Sequence, residues 1–262
     1  MAACKLLVLT SCLPQTSGVA LAWRERLRAQ RHIRPHVNPL QRRFRERNIP
    51  PQFADNAFAE LSQPLHLDLG CGKGHFCADL AAAQPDLNVL GIEIRKPLVE
   101  EAERLVAESA AANLRFVSGS ANMCAASCID ALQAASRADG TLLASVSVQF
   151  PDPWPKTRHR KRRIVQTPLV QQLVERLKPG GFVFLQSDVE EVALEMQAAF
   201  AADPRLVERA DLREAGSFWL AEAYRPFPDV KTERERQADR RGLQVFRSLF
   251  IRAVDGQGGG ET

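Results

Sequence analysis

The chain has 262 residues, of which 45% are hydrophobic and 25% are charged, and its formal net charge is +4 at pH 7. This length favours one domain with extensions over two domains. No apolar run approaches the roughly 18 residues that a membrane span needs, so no membrane-spanning helix is expected. The six cysteines form no repeated C-x-x-C pair, which disfavours a zinc site and predicts free thiols in a reducing compartment.

The N-terminal segment, residues 1–34, is basic and differs in composition from the rest of the chain. Its first 24 residues contain no acidic side chain, and an arginine-rich stretch follows at 23–34. This composition is typical of an organelle transit peptide, and the alternatives are a disordered basic arm or a helix that helps to grip RNA. A transit peptide predicts a chloroplast or another organelle, and the alternatives predict the cytoplasm. The folded domain is expected at 35–254, and the glycine-rich residues 255–262 are expected to be disordered.

A nucleotide-type turn is predicted near the start of the folded domain. Residues 65–69 (LHLDL) read as a buried strand, a G-x-G-x-G turn follows at 70–74, and a helix is expected at about 75–83. Strand, glycine turn and helix form the cofactor site of doubly wound α/β folds, although a simple tight turn has the same pattern. Hydride-transfer folds use G-x-G-x-x-G instead, so Asp68 and this spacing favour a different nucleoside cofactor.

The strands that follow predict a mainly parallel, doubly wound α/β sheet. Glu93 ends a second apolar run, about 20 residues beyond the turn, where such folds place an acid that accepts hydrogen bonds from ribose hydroxyls. The alternative is a surface residue at a strand end. Further strands are predicted at 114–117, 142–150, 182–186 and 245–251, and helices at 98–112, 123–136, 167–177 and 189–202. Ligands should bind at the carboxyl edge of the sheet, where Asp68, Glu93, Ser120, Asp152 and Asp188 all fall.

A cationic tract directly follows one of these strands. The run VSVQFPDPWPKTRHRKRR occupies 146–163, with three prolines around Asp152 and six Lys or Arg among the eight residues from 156 to 163. Such a tract is usually a localisation signal or a solvated charge run. Its junction with a buried strand instead favours a phosphate-binding surface beside a rigid loop that holds one carboxylate. The arginine-rich residues 23–48 are a second basic region.

Five motifs together resemble one family, the bacterial-type tRNA (guanine-N7)-methyltransferases, and most closely their cyanobacterial or plastid-like branch. The motifs are LHLDLGCGKGHF (65–76), GIEIRKPLVEEA (91–102), QFPDPWPKTRHRKRRIVQ (149–166), LKPGGFVFLQSDVEEVA (177–193) and TERE (232–235). The resemblance covers residues 35 to about 252. It implies a Rossmann-like class I S-adenosylmethionine methyltransferase domain at 35–254, with a basic N-terminal extension and no metal.

The resemblance also implies roles for single residues. Cofactor contacts are expected at Asp68, Gly70, Gly72, Glu93, Ser120 and Ala121, and Asp152 is the implied active-site acid. Substrate contacts are expected at Lys156, Arg158, Arg160, Arg162, Arg163, Asp188, Thr232 and Glu235. Two residues depart from the family pattern, because Ser120 replaces an Asp or Asn and Arg234 replaces an aromatic side chain. The implied partner is tRNA, with no membrane and no obligatory protein partner.

The implied reaction is methylation of the variable-loop guanosine at tRNA position 46. Guanine N7 carries a lone pair and no proton, so it can attack a sulfonium methyl group without a strong base. Asp152 is then expected to orient the guanine and to stabilise its developing positive charge. Trp154 would either stack on a base or anchor the loop. Two other hypotheses remain at this stage, a methyltransferase for a small molecule or protein and an RNA-binding protein with a vestigial cofactor pocket.

Overall fold

A computed structural model describes residues 37–45, 49 and 52–254. The predicted transit peptide or basic arm at 1–34 and the predicted disordered tail at 255–262 lie outside these residues, so both stay predictions, as does the localisation. Within the described part of the chain, no helix is both long and apolar enough to cross a bilayer.

One seven-stranded sheet organises the described residues. Its strands are β1 (Leu65–Leu69), β2 (Asn88–Glu93), β3 (Leu114–Ser118), β4 (Leu143–Gln149), β5 (Phe182–Ser187), β6 (Leu206–Glu208) and β7 (Phe246–Arg252). They lie in the order β3-β2-β1-β4-β5-β7-β6. The first five strands pair in parallel, and β7 runs antiparallel to both β5 and β6. The strand order reverses between β1 and β4, which is where doubly wound folds bind ligands.

Helices cover both faces of the sheet, and this confirms the predicted fold class. They are α1 (His75–Ala83), α2 (Lys96–Ser109), α3 (Ala121–Ser136), α4 (Thr167–Arg176), α5 (Glu190–Ala201) and α6 (Glu233–Arg241). Leu90 and Ile92 of β2 join the core under α3, α4 and α5, whereas Val89 joins the core under α1 and α2. A strand buried on both faces has little polar alternation, which is why these runs read as continuous apolar segments.

Three elements were not predicted from the sequence in their observed form. The basic residues Thr157–Arg162 form a short 3-10 helix rather than an irregular run. The three-residue strand β6 is too short to produce a periodic pattern. Helix α6 shows no apolar helical pattern in the sequence, because just Glu235 and Ala238 of its nine residues are buried. Its ends are instead fixed by a cap at Thr232 and by Gly242 in the left-handed conformation.

Candidate active site

The glycine turn after β1 brings the backbone close to two neighbouring strands. Gly72 and Gly74 have φ angles of +60° and +76°, which L side chains rarely adopt. A Cβ atom on Gly74 would lie 2.6 Å from the ring of Phe116 in β3, and one on Gly91 of β2 would also lie 2.6 Å from that ring. The turn therefore depends on glycine both for its backbone conformation and for packing room.

We expect Gly74→Ala to destabilise the domain more than the same change at Gly180. Both glycines have nearly the same φ, +76° and +75°, but a Cβ on Gly180 meets nothing within 4 Å. The left-handed conformation should cost about 1 kcal/mol at either position. The overlap with Phe116 should add about 1–3 kcal/mol at Gly74 alone. Urea unfolding of the two variants measures the difference, and equal losses would contradict the close packing of the turn.

Asp68, the penultimate residue of β1, is a buried acceptor held by three donors. Its Oδ1 accepts a hydrogen bond from Ser147 Oγ at 2.6 Å and one from Gln149 Nε2 at 3.3 Å, and its Oδ2 lies 3.5 Å from Cys77 Sγ. Burial raises the pKa of the Asp68 carboxyl, and these hydrogen bonds oppose the rise. The carboxylate is thus fixed in one orientation at the carboxyl edge of the sheet.

His66 contacts Ser147, one of the donors to Asp68. Its ring lies 2.7 Å from Ser145 Oγ through Nδ1 and 3.0 Å from Ser147 Oγ through Nε2, and the whole side chain is buried. Burial lowers the pKa of His66 to about 3, so the ring is neutral at physiological pH. The role of His66 is therefore to orient Ser147, the main donor to Asp68.

Glu93 ends β2 beside the glycine turn and is held by two partners. Its Oε2 accepts from the backbone N–H of Gly72 at 3.0 Å, and its two oxygens accept from the guanidinium of Arg95 at 2.9 and 3.1 Å. Burial lowers the pKa of Arg95, but the hydrogen bonds and charge of Glu93, with a smaller effect of Asp152, outweigh it and raise that pKa. Arg95 was not predicted as a site residue, and its guanidinium pairs with Glu93 and is also affected by the charge of Asp152.

Ser120 and Ala121 lie where β3 passes into α3. Ser120 is the residue before the first helical turn, and its carbonyl oxygen accepts from Met123 and Cys124 N–H groups at 2.8 and 3.0 Å. Its side chain makes no capping hydrogen bond with the helix. Both residues are buried at the same edge as Asp68 and Glu93, and their role as cofactor contacts stays a prediction.

The proline-rich loop around Asp152 has a strained backbone at both ends. Phe150 and Trp154 have φ angles of +48° and +42°, which bulky side chains rarely adopt. The ring of Trp154 packs edge-on against His159, with centroids 5.8 Å apart, and the Arg162 guanidinium lies 5.0 Å above it. Such strain persists only where surrounding contacts impose it, and it is concentrated at functional sites. These contacts fit the role of Trp154 as an anchor of the loop, and stacking on a base stays a prediction.

The basic segment, residues 156–163, divides into inward and outward side chains. Arg163 is buried, donates to the Pro153 carbonyl at 2.7 Å and pairs with Glu191 and Glu195 of α5. Arg160 pairs with the same two carboxylates at 2.8 and 3.2 Å. The structure therefore revises the expectation for Arg163, because its guanidinium is enclosed by protein and stabilises the loop instead of facing RNA.

The outward members of the basic segment remain suited to phosphate. Lys156, Arg158 and Lys161 are exposed, and Lys161 had not been assigned a role of its own. Since each phosphate contact releases a counterion, replacing all three by Ala should lower the slope of log affinity against log salt by roughly 2–3 units. Filter binding of tRNA over a salt series measures this slope. The control is Lys178→Ala, at the opposite edge of the sheet, and an unchanged slope in the triple variant would contradict the assignment.

The segment 232–235, which we call the substrate-side segment, begins α6 with a reciprocal cap. The Glu235 N–H donates to Thr232 Oγ1 at 3.0 Å, and the Thr232 N–H lies 3.4 Å from Glu235 Oε2. Glu235 is completely buried and lies 3.0 Å from Arg225 and 3.1 Å from Arg247. The structure revises the expectation for Glu235 as a direct substrate contact, since a carboxylate enclosed by two arginines instead holds Thr232 and the helix start in position.

Asp188 faces the same edge just beyond β5 and is paired with Arg234. The Arg234 Nε donates to Asp188 Oδ2 at 2.9 Å, and the side chain of Asp188 is 12% exposed whereas that of Arg234 is 48% exposed. The residue that departs from the family pattern therefore covers a predicted substrate-binding carboxylate. Among residues 37–45, 49 and 52–254, no group of three or more side chains is arranged to hold a metal ion.

Comparisons with known proteins agree with this arrangement. The family model Methyltransf_4, described as "Putative methyltransferase", matches residues 62–248. A tRNA (guanine-N(7)-)-methyltransferase of Microcystis aeruginosa is 43% identical over 222 residues, which is 85% of this chain and 98% of the relative. The corresponding protein of Synechococcus elongatus is 44% identical over 224 residues, 86% of this chain and 98% of the relative. The solved aminoglycoside resistance methyltransferase NpmB1 is 15% identical, with a TM-score of 0.45, over 74% of this chain and 90% of that one.

The family model covers the part of the chain that contains the site. The glycine turn, both cofactor-type carboxylates, the strained loop and the substrate-side segment all lie within residues 62–248. Both of these relatives are cyanobacterial, which agrees with the predicted cyanobacterial or plastid-like branch. The chain belongs to the tRNA (guanine-N7)-methyltransferase family.

Proposed function

We propose that the protein transfers a methyl group from S-adenosylmethionine to N7 of a guanosine in tRNA, with position 46 of the variable loop as its target. One observation carries this proposal. A single loop connects the region of the cofactor-type acid with the basic segment. The loop holds Asp152 where its charge acts on Arg95, the partner of the cofactor-type acid Glu93, and it continues directly into the outward cations of the basic segment.

The residues around the glycine turn fit a nucleoside with an amino-acid tail. Asp68 and Glu93 are buried carboxylates on adjacent strands, and they can accept hydrogen bonds from ribose hydroxyls or an ammonium group. Gly72 leaves room for close approach, because a Cβ there would reach only Arg95 Nη2, at 3.7 Å. S-adenosylmethionine supplies an electrophilic methyl group on a sulfonium. We assign its contacts to Asp68, Gly70, Gly72, Glu93, Ser120 and Ala121.

The transfer requires alignment more than acid–base chemistry. The N7 lone pair of guanine forms the new N–C bond while the methyl–sulfur bond breaks, so the positive charge passes from sulfur to the purine ring. No proton leaves N7 in this step. Asp152 then acts by accepting hydrogen bonds from the guanine N1–H and N2–H₂ edge and by stabilising the cationic ring. Asp188 and Thr232, which lie at the same edge, are the remaining candidates for contacts with the nucleotide.

The outward side chains of the basic segment bind tRNA phosphates, and such contacts do not read the base sequence. Lys156, Arg158 and Lys161 fill this role, and Arg160, Arg162 and Arg163 shape the loop that presents them. The target base must leave its stack before N7 can meet the methyl group. Selection of the guanosine therefore depends on the shape of the tRNA around an accessible base.

The experiment that tests this function is methyl transfer from labelled S-adenosylmethionine to bulk tRNA, followed by digestion and identification of the labelled nucleoside. We expect 7-methylguanosine as the labelled product, and we expect RNase treatment of the substrate to abolish the signal. Label in a protein or small-molecule fraction, with none in tRNA, would assign the protein to a different substrate class. Asp68→Asn serves as the control that removes cofactor binding.

A further inference from the structure

A row of buried and partly buried polar side chains crosses the sheet between the cofactor pocket and the substrate-side segment. Gln149 of β4, Gln186 of β5 and Arg247 of β7 are paired in register, so they lie side by side on three neighbouring strands. Gln186 is completely buried and Arg247 is 6% exposed. Buried polar groups are costly unless they are hydrogen-bonded, so a row of this kind needs an explanation.

Hydrogen bonds make the row continuous from Glu235 to Asp68. Gln186 Nε2 donates to Glu235 Oε2 at 3.3 Å and to Gln149 Oε1 at 2.7 Å. Gln149 Nε2 in turn donates to Asp68 Oδ1 at 3.3 Å. On the other side, Arg247 Nε donates to Gln186 Oε1 at 3.2 Å. Both the nitrogen and the oxygen of the buried Gln186 side-chain amide therefore have hydrogen-bond partners.

The direction of this chain is fixed by chemistry and not only by the placement of amide atoms. An arginine can only donate and a carboxylate can only accept, so Arg247 and Glu235 leave Gln186 one workable orientation. Gln186 must then present N–H to Gln149, which must accept with its oxygen. The side-chain nitrogen of Gln149 is then left as a donor, and it donates to Asp68.

We propose that Gln186 and Gln149 are positioning residues for the cofactor. Glu235 orients Gln186, Gln186 orients Gln149, and Gln149 then holds its N–H donor toward the carboxylate of Asp68. The inference deepens the proposed function and rests on its assignment of Asp68 to the cofactor pocket. Glu235 thereby has two tasks. It caps the substrate-side segment through Thr232, and it orients the chain that holds Asp68.

The groups around Asp68 indicate what loss of the Gln149 hydrogen bond should change, namely the pKa of the Asp68 carboxyl. Glu93 raises the pKa of Asp68 by its charge, and burial raises it more, whereas the bonds from Ser147, Gln149 and Cys77 lower it. His66 lies behind Ser147 and is neutral, and burial raises the pKa of the Cys71 and Cys77 thiols. Loss of the Gln149 bond should let the pKa of Asp68 rise further. A protonated Asp68 accepts less well, so cofactor binding should weaken as the pH falls.

The test compares Gln186→Met with Gln197→Met, a matched change in α5 that removes the Gln197–Glu208 hydrogen bond away from the site. Calorimetry with S-adenosylmethionine should give an affinity about five- to tenfold weaker for Gln186→Met, with the loss increasing as the pH is lowered. Glu235 keeps Arg225, Arg247 and Thr232, so tRNA affinity without cofactor should stay within about twofold of the parent. The control should match the parent in both measurements.

Two further variants distinguish a loss of the hydrogen bond from misfolding and from a wrong assignment of Asp68. Gln149 is only partly buried, so Gln149→Met removes the donor to Asp68 with less risk to folding, and it should reproduce the loss of affinity and its pH dependence. A normal cofactor affinity in either glutamine variant would overturn the inference. Asp68→Asn separates this result from the proposed function, because normal cofactor binding in that variant would remove Asp68 from the pocket altogether.

Discussion

Asp152→Asn is expected to lower the rate of methyl transfer by about 10²- to 10³-fold, the loss typical when a preorganised electrostatic contact to a developing charge is removed. The asparagine side chain has almost the same shape and still accepts one hydrogen bond. It carries no charge to stabilise the cationic purine ring, and its amide group would oppose the guanine N–H donors. Single-turnover assays at saturating tRNA and S-adenosylmethionine measure the chemical step itself.

The binding steps should separate this effect from misfolding. Cofactor affinity should change little, because Asp152 influences Arg95 only as a minor contribution behind Glu93. Asp139→Asn is the matched control, since Asp139 is exposed in the loop before β4, at the opposite edge of the sheet. Near-normal turnover in Asp152→Asn would show that the loop positions RNA without taking part in the reaction.

Glu93→Gln should weaken binding of S-adenosylmethionine by roughly 10- to 100-fold, because hydrogen bonds to a charged acceptor contribute about 1.5–3 kcal/mol. The change also removes the charge that balances Arg95, whose side chain is only 24% exposed. Arg95 would then compete for the remaining acceptors in the pocket. Isothermal titration with S-adenosylmethionine and with its demethylated product measures the loss.

Glu100→Gln provides a control of the same chemistry. Glu100 also pairs with a cation, Lys96, but both side chains are more than half exposed, so this pair should contribute little. We expect the cofactor affinity of Glu100→Gln to match that of the parent. If Glu93→Gln also bound S-adenosylmethionine normally, the acid at the end of β2 would be a structural partner of Arg95 and not a cofactor contact.

Much of this architecture could be predicted because its signals are local in the sequence. Strand β1, the glycine turn and helix α1 appear where expected, since an apolar run, three glycines and a helical pattern follow one another directly. Strand β2 with Glu93 at its end was predicted for the same reason. Helix α6 was harder, because it is stabilised by a cap and by buried ion pairs rather than by an apolar face.

The parts that could not be predicted depend on contacts between distant segments. Charge alone could not separate Arg163 from Lys156, because the difference lies in Glu191 and Glu195, about 30 residues away on α5. Arg234 reads as an odd residue in the sequence, and only the fold shows that it pairs with Asp188. The chain from Glu235 to Asp68 likewise joins side chains from four separate elements, and no local pattern marks it.

The measurement that tests the central claim most directly uses one tRNA in two forms. One transcript carries guanosine at position 46, and the other carries 7-deazaguanosine there, which replaces N7 by a C–H group and leaves the pairing edge intact. We predict methylation of the first transcript only, with similar binding of both. Equal methylation of the two transcripts would contradict transfer to N7 of this nucleotide, whatever the state of the cofactor site.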